Sequence, residues 1–154
     1  MFQAIINDLA RRYDARVFEP HVTIHVGADR LDAAEQALTA AARECKFIRL
    51  KPLGIDESNQ FVKTLFVEFA VTAELRHIAE TIRRSAQDSL QYELKPHLSL
   101  LYKKLRAATR RQLAASITVP FSEISFDALR AVRCISPTQS PADVEAWRIV
   151  APAP

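Results

Sequence analysis

Apolar positions along this chain switch repeatedly between two periods, one of three to four residues and one of two. Phe2, Ile5, Ile6, Leu9 and Tyr13 share one helical face and predict a helix over 2–13. The stretch "RVFEPHVTIHV" is rich in β-branched and aromatic residues, predicts a strand, and ends at Gly27. Leu31, Ala34, Leu38, Ala41, Ala42 and Cys45 return to helical spacing, with Asp32 and Glu35 as a capping pair. "FIRLKPLGI" reads as a strand in which Pro52 implies an edge or a bulge. The polar turn "DESNQ" leads into a second strand, "FVKTLFVEF".

The second half repeats the alternation. Leu75, Ile78, Ala79, Ile82, Ala86 and Leu90 predict a helix over 73–90 with Thr72 as its N-cap. "KPHLSLLY" is a strand, and a helix follows over about 106–117. "FSEISFDALRAVRCI" reads as one long strand or two with a bend, "SPTQSPAD" as a loop, and "VEAWRIVA" as a closing strand. The order helix, strand, helix, strand, strand is thus written twice. Strands and helices do not alternate one for one, which argues against a doubly wound parallel sheet. The expectation is an α+β fold over 1–154: one bilobal domain, two pseudo-twofold-related lobes, antiparallel sheets lining a central cleft and helices outside.

Composition narrows the class. Apolar residues make up 49% and charged residues 25%, a globular balance that excludes a disordered chain. No apolar run approaches the roughly 18 residues of a membrane span. The opening helix is broken by Asp8, Arg11 and Arg12 and does not resemble a signal peptide, so a cytoplasmic protein is expected. Cys45 and Cys134 have no ligand or redox spacing and read as free thiols. The net charge of +3 suits an anionic substrate but does not amount to a nucleic-acid-binding stripe.

The chemistry lies in a repeated phrase, "PHVTIHVG" from Pro20 and "PHLSLLYK" from Pro96. Only four histidines exist, and two occupy matching places in the matching halves. Alternation along a strand puts His21 and Thr23 on one face, and His97 and Ser99 on one face. If the halves pack about a twofold axis, two imidazoles and two hydroxyls converge. That set suits work at a phosphate. One neutral imidazole removes a proton from water, and one protonated imidazole gives a proton to the departing oxygen. The hydroxyls donate to the non-bridging oxygens. No metal or cofactor is required. His25 shares the face of His21, but two alternate histidines fall short of a zinc site; it reads as a cleft-floor or core residue. His77 reads as exposed.

On "FEPHVTIHVGA" and "KPHLSLLY" the chain resembles the 2H phosphoesterase superfamily, and within it the cyclic phosphodiesterase branch. The resemblance covers nearly the whole chain. It implies hydrolysis of ADP-ribose 1″,2″-cyclic phosphate and of nucleoside 2′,3′-cyclic phosphates. It implies His21 and His97 as the catalytic pair and Thr23 and Ser99 as the phosphate-holding hydroxyls. Tyr102 matches the branch's Tyr beyond the second motif, and "QFVKTLFVEF" resembles its strand bearing an aromatic and a Lys, which makes Phe61 and Lys63 substrate-binding candidates. Relatives usually open with a further strand before the helix that here starts at Met1, so either the start is trimmed or the edge of one lobe is rebuilt.

Residue by residue, Lys63 fits either the cleft or an edge where it snorkels, and Phe61 either stacks on a base or packs in the core. Trp147 reads as core. The partner expected is a small cyclic-phosphate nucleotide bound by a monomer, with no membrane. An RNA-end enzyme of the 2′-5′ RNA ligase or RNA 2′,3′-cyclic phosphodiesterase type is the alternative, and it would call for a wider basic surface. A non-catalytic nucleotide-binding module is disfavoured by the intact histidine in both motifs.

Overall fold

In a computed structural model, residues 2–27, 30–44, 47–87, 92–120 and 122–152 are described. Cys45 and Leu90, assigned above to helices, and Phe121, at the start of a strand, lie outside them. Among the described residues are five α-helices: α1 (Phe2–Tyr13), α2 (Leu31–Glu44), α3 (Ala73–Ser85), α4 (Ala107–Ser116) and α5 (Pro141–Glu145). The strands are β1 (Ile48–Leu50), β2 (Pro52–Glu57), β3 (Leu65–Phe69), β4 (His97–Leu101), β5 (Ile124–Phe126), β6 (Arg130–Arg133) and β7 (Arg148–Pro152). All strand pairing is antiparallel, and the fold is α+β.

Among the described residues three sheets form, in the orders β1-β5, β2-β3-β4 and β6-β7. The pairing crosses the halves of the sequence, since β1 joins β5 and β3 joins β4. The central sheet positions the site. Val67 pairs with Leu98, and both point into an apolar core with Leu50, Leu65, Leu75, Leu100 and Leu113. The opposite face of the same ladder carries Phe66 beside Ser99 and Glu68 beside His97. Helices α1 and α4 pack against this sheet, while α2 packs on α3 and on the β6-β7 pair.

Four elements differ from the pattern-based reading. Residues 16–26 form no ladder; their single bridge joins Val22 to Leu98, so β-propensity alone does not make a strand there. "FIRLKPLGI" is two strands in two sheets, with a register shift between Pro52 and Gly54 where the imide nitrogen has no proton to give. Phe61–Lys63 is a 3₁₀ turn, and the strand begins only at Leu65. Finally, "SPTQSPAD" is not all loop. Ser140 and Asp143 form a capping box and Pro141 opens α5, a start signal that the loop-like composition masks.

Hydroxyls explain the 3₁₀ turn. Thr64, 1% exposed, donates to the Lys103 carbonyl at 2.8 Å, with the Gln60 and Phe61 carbonyls each 3.1 Å away. Ser58 donates to the Lys63 carbonyl at 2.6 Å, and Ser99 to the Val62 carbonyl at 2.7 Å. Side-chain donors thus satisfy carbonyls that a strand would have paired with a neighbour. Thr64→Val keeps the shape and removes the donor, leaving the Lys103 carbonyl without it. Urea unfolding should show a loss of about 1–3 kcal/mol. An unchanged midpoint would mean that the turn holds without this hydroxyl.

Candidate active site

The prolines of the two motifs set their histidines in the same way. A residue before proline is driven to extended backbone, so the carbonyls of Glu19 and Lys95 stand within reach of the following imidazole. His21 Nδ1 lies 2.7 Å from the Glu19 carbonyl, and His97 Nδ1 lies 2.8 Å from the Lys95 carbonyl. A carbonyl can only accept, so each Nδ1 carries a proton and donates it. That leaves Nε2 as the nitrogen of each ring with a lone pair to offer.

The Val22–Leu98 bridge joins the middle residues of the two His-x-hydroxyl triplets. Antiparallel pairing about that point sets His21 beside Ser99 and Thr23 beside His97. Val22 and Leu98 face the core, so the four polar side chains take the other side. The imidazoles are near enough that charge on His21 disfavours charge on His97.

Their surroundings differ. His21 lies among aromatics: its Nε2 is 3.5 Å from the Tyr102 hydroxyl, and its ring meets the rings of Trp147 at 5.7 Å and Phe18 at 6.2 Å, both edge to face. Tyr102 is buried, stacked on Phe18 at 3.9 Å, and burial drives its phenol well above the ordinary range, so it stays a neutral hydroxyl. His97 meets Phe66 at 5.5 Å, and the Lys63 ammonium lies 4.2 Å from the centre of the same ring. Burial above all pulls the His97 pKa below the usual imidazole value; Lys63 and His21 push the same way, while the Lys95 carbonyl and Glu68 oppose.

Each residue singled out in the sequence now has a position. His21, His97, Thr23 and Ser99 gather around the bridge, and Tyr102 touches His21. Lys63 lies at the His97 end, over Phe66, although the 3₁₀ turn and not a strand face delivers it. Phe61, 8% exposed, packs with Ile6, Phe18, Tyr102 and Val144 in a second apolar cluster. Ser99 is 5% exposed and spends its proton on Val62, whereas the Thr23 hydroxyl has no hydrogen-bond partner among the described residues. His25 meets Tyr92 edge on at 6.3 Å, and His77 is exposed and paired with Glu44 at 2.9 Å.

Sequence reasoning missed Phe66, Glu68, Phe18 and the position of Trp147. The alternation in "LFVEF" held the first two, but only the β3-β4 register says which face meets His97. Trp147 is half-buried just before β7, against His21 instead of deep in the core. Among the described residues, no group of three or more His, Cys, Asp or Glu side chains could hold a metal ion, and no helix is long and apolar enough to cross a membrane.

The family model described as cyclic phosphodiesterase-like protein matches residues 1–152. No curated protein matches the chain.

A pH titration followed by imidazole NMR tests the electrostatics. His97 should titrate below the ordinary value of about 6.5, and Lys63→Met should move it upward by removing one of the lesser depressing charges. The neutral form is the one the fold favours. The stability linked to His97 is therefore full above about pH 6.5 and is lost as the pH falls through its lower folded value. A His97 titration at or above the ordinary value would contradict the burial described.

Proposed function

The chain belongs to the cyclic phosphodiesterase-like family, which supports a phosphodiester hydrolase acting on cyclic phosphates, and from that premise we propose a metal-independent His/His reaction at the paired motifs. The substrates are ADP-ribose 1″,2″-cyclic phosphate, nucleoside 2′,3′-cyclic phosphates, or both. The observation that carries this reading is the Val22–Leu98 bridge, because it brings two imidazoles, each tethered through Nδ1, to one face.

The asymmetry of the pair divides the labour. His97, whose charged form burial and Lys63 disfavour, is the base. It starts neutral and takes a proton from water as the water oxygen bonds to phosphorus. His21 is the acid. Its Nε2 gives a proton to the ribose oxygen as the bond from that oxygen to phosphorus breaks, opening the ring to a phosphomonoester. One water is consumed, and the proton gained by His97 balances the one lost by His21.

The phosphate is held by hydroxyls and a cation. Thr23 is free to donate to a non-bridging oxygen, while Ser99 must exchange the Val62 carbonyl for phosphate. Lys63 supplies positive charge at the His97 end. Tyr102, held neutral, bonds to His21 at rest and is able to bond to the ribose once substrate displaces it.

The test is turnover of both substrate types, and of a short RNA ending in a cyclic phosphate, with EDTA present. Wild-type protein should hydrolyse at least one of the two small substrates. His21→Ala and His97→Ala should each lose about 10²–10⁴-fold in kcat, and kcat/KM should trace a bell against pH. On a nitrophenyl phosphodiester, whose leaving group needs no proton, His21→Ala should recover and His97→Ala should not. Activity that disappears in EDTA and returns with added metal would overturn the scheme.

A further inference from the structure

If His21 protonates the departing ribose oxygen, the nucleoside that carries this oxygen extends away from His97 and towards the neighbours of His21. Four aromatic rings line that end: Phe18, Phe61, Tyr102 and Trp147. The first three are buried, at 8%, 8% and 3% exposure. Trp147 alone among these four keeps part of its surface open. Its indole meets His21 at 5.7 Å and Tyr102 at 5.8 Å, so it stands beside the acid and not behind it.

The indole is also held in place. Trp147 follows α5 directly, and its backbone N–H donates to the Val144 carbonyl at 3.2 Å. Val144 is buried in the cluster with Phe18, Phe61 and Tyr102. Indole Nε1–H points to the Thr138 hydroxyl at 3.4 Å, in the loop that precedes α5. Two exposed ion pairs join this C-terminal unit to the segment that bears His21. Arg16 pairs with Glu145, and Arg130 pairs with Glu19, the residue whose carbonyl holds His21 Nδ1. A half-open aromatic ring, held next to the acid by these contacts, is preorganised for a flat group.

We infer that Trp147 is the platform on which the base of a nucleoside 2′,3′-cyclic phosphate stacks, and that it makes this class the preferred substrate. The inference rests on the function proposed above. Phe61, the residue whose strand resemblance suggested base stacking, is covered by the cluster and serves as packing behind Tyr102. In ADP-ribose 1″,2″-cyclic phosphate the ring-bearing ribose carries no base, so this platform favours it less.

Trp147 is the only tryptophan in the chain, which makes intrinsic emission a direct reporter. Adenosine 2′-monophosphate should quench or shift that emission saturably in wild-type protein, and inorganic phosphate at the same occupancy should do so far less. The second arm compares kcat/KM for adenosine 2′,3′-cyclic phosphate with that for glycerol cyclic phosphate, which lacks a base. Trp147→Ala should lower this ratio about tenfold or more, the range of a lost base–aromatic stack, and Trp147→Phe should restore much of it. Thermal unfolding of both variants checks that they are folded, and the wild-type emission arm does not depend on either. Emission indifferent to the nucleotide, or a ratio unchanged in a folded Trp147→Ala, would overturn the platform while leaving the hydrolysis intact. Nucleotide-dependent emission without turnover of any cyclic phosphate would instead remove the proposed reaction and keep the platform.

Discussion

The single contact between Val22 and Leu98 is the constraint on which the site depends. Neither residue does chemistry. Both are apolar and press into the core, and their antiparallel pairing turns the polar residues on either side to the opposite face. Each motif alone is a short extended stretch with a histidine tied back to its own chain. Joined at their midpoints, the two stretches become a pair of imidazoles with hydroxyls between them. The first stretch has no ladder of its own to hold it there. Its place is kept by the bridge, by Arg130 and Arg16 acting through ion pairs, and by a wall of rings.

Symmetry ends at the backbone. The two Pro-His turns are near copies, yet one imidazole lies among aromatic edges and a neutral phenol, and the other beside a carboxylate and an ammonium. The acid/base reaction proposed above needs partners that differ at the same pH. Here the difference comes from what packs around equivalent histidines and not from the motifs themselves. The 3₁₀ turn contributes because it brings Lys63 over Phe66, and the junction of α5 with β7 contributes because it brings Trp147 to His21.

Much of this was legible in the sequence, for reasons that differ by element. Helices α1 to α3 could be read because a 3.6-residue apolar stripe is a strong local signal. The motif residues could be read because the same unusual phrase occurs twice. The first motif's lack of a ladder was hidden, since "RVFEPHVTIHV" has strand propensity and only tertiary pairing decides whether a ladder forms. The 3₁₀ turn at Phe61 was hidden for a related reason: Ser58, Thr64 and Ser99 are ordinary strand or turn residues until their hydroxyls find particular carbonyls. Glu68 and Trp147 depend on register and on long-range packing, which no local pattern encodes.

The central claim is that one phosphate sits between two imidazoles brought together by that bridge. A crystal structure of the protein with vanadate and a nucleoside measures it most directly. The account predicts vanadium held between His21 Nε2 and His97 Nε2, each within hydrogen-bonding distance of a vanadate oxygen, with the Thr23 hydroxyl on a third oxygen. Vanadate bound through one histidine only, or bound away from the Val22–Leu98 junction, would contradict it.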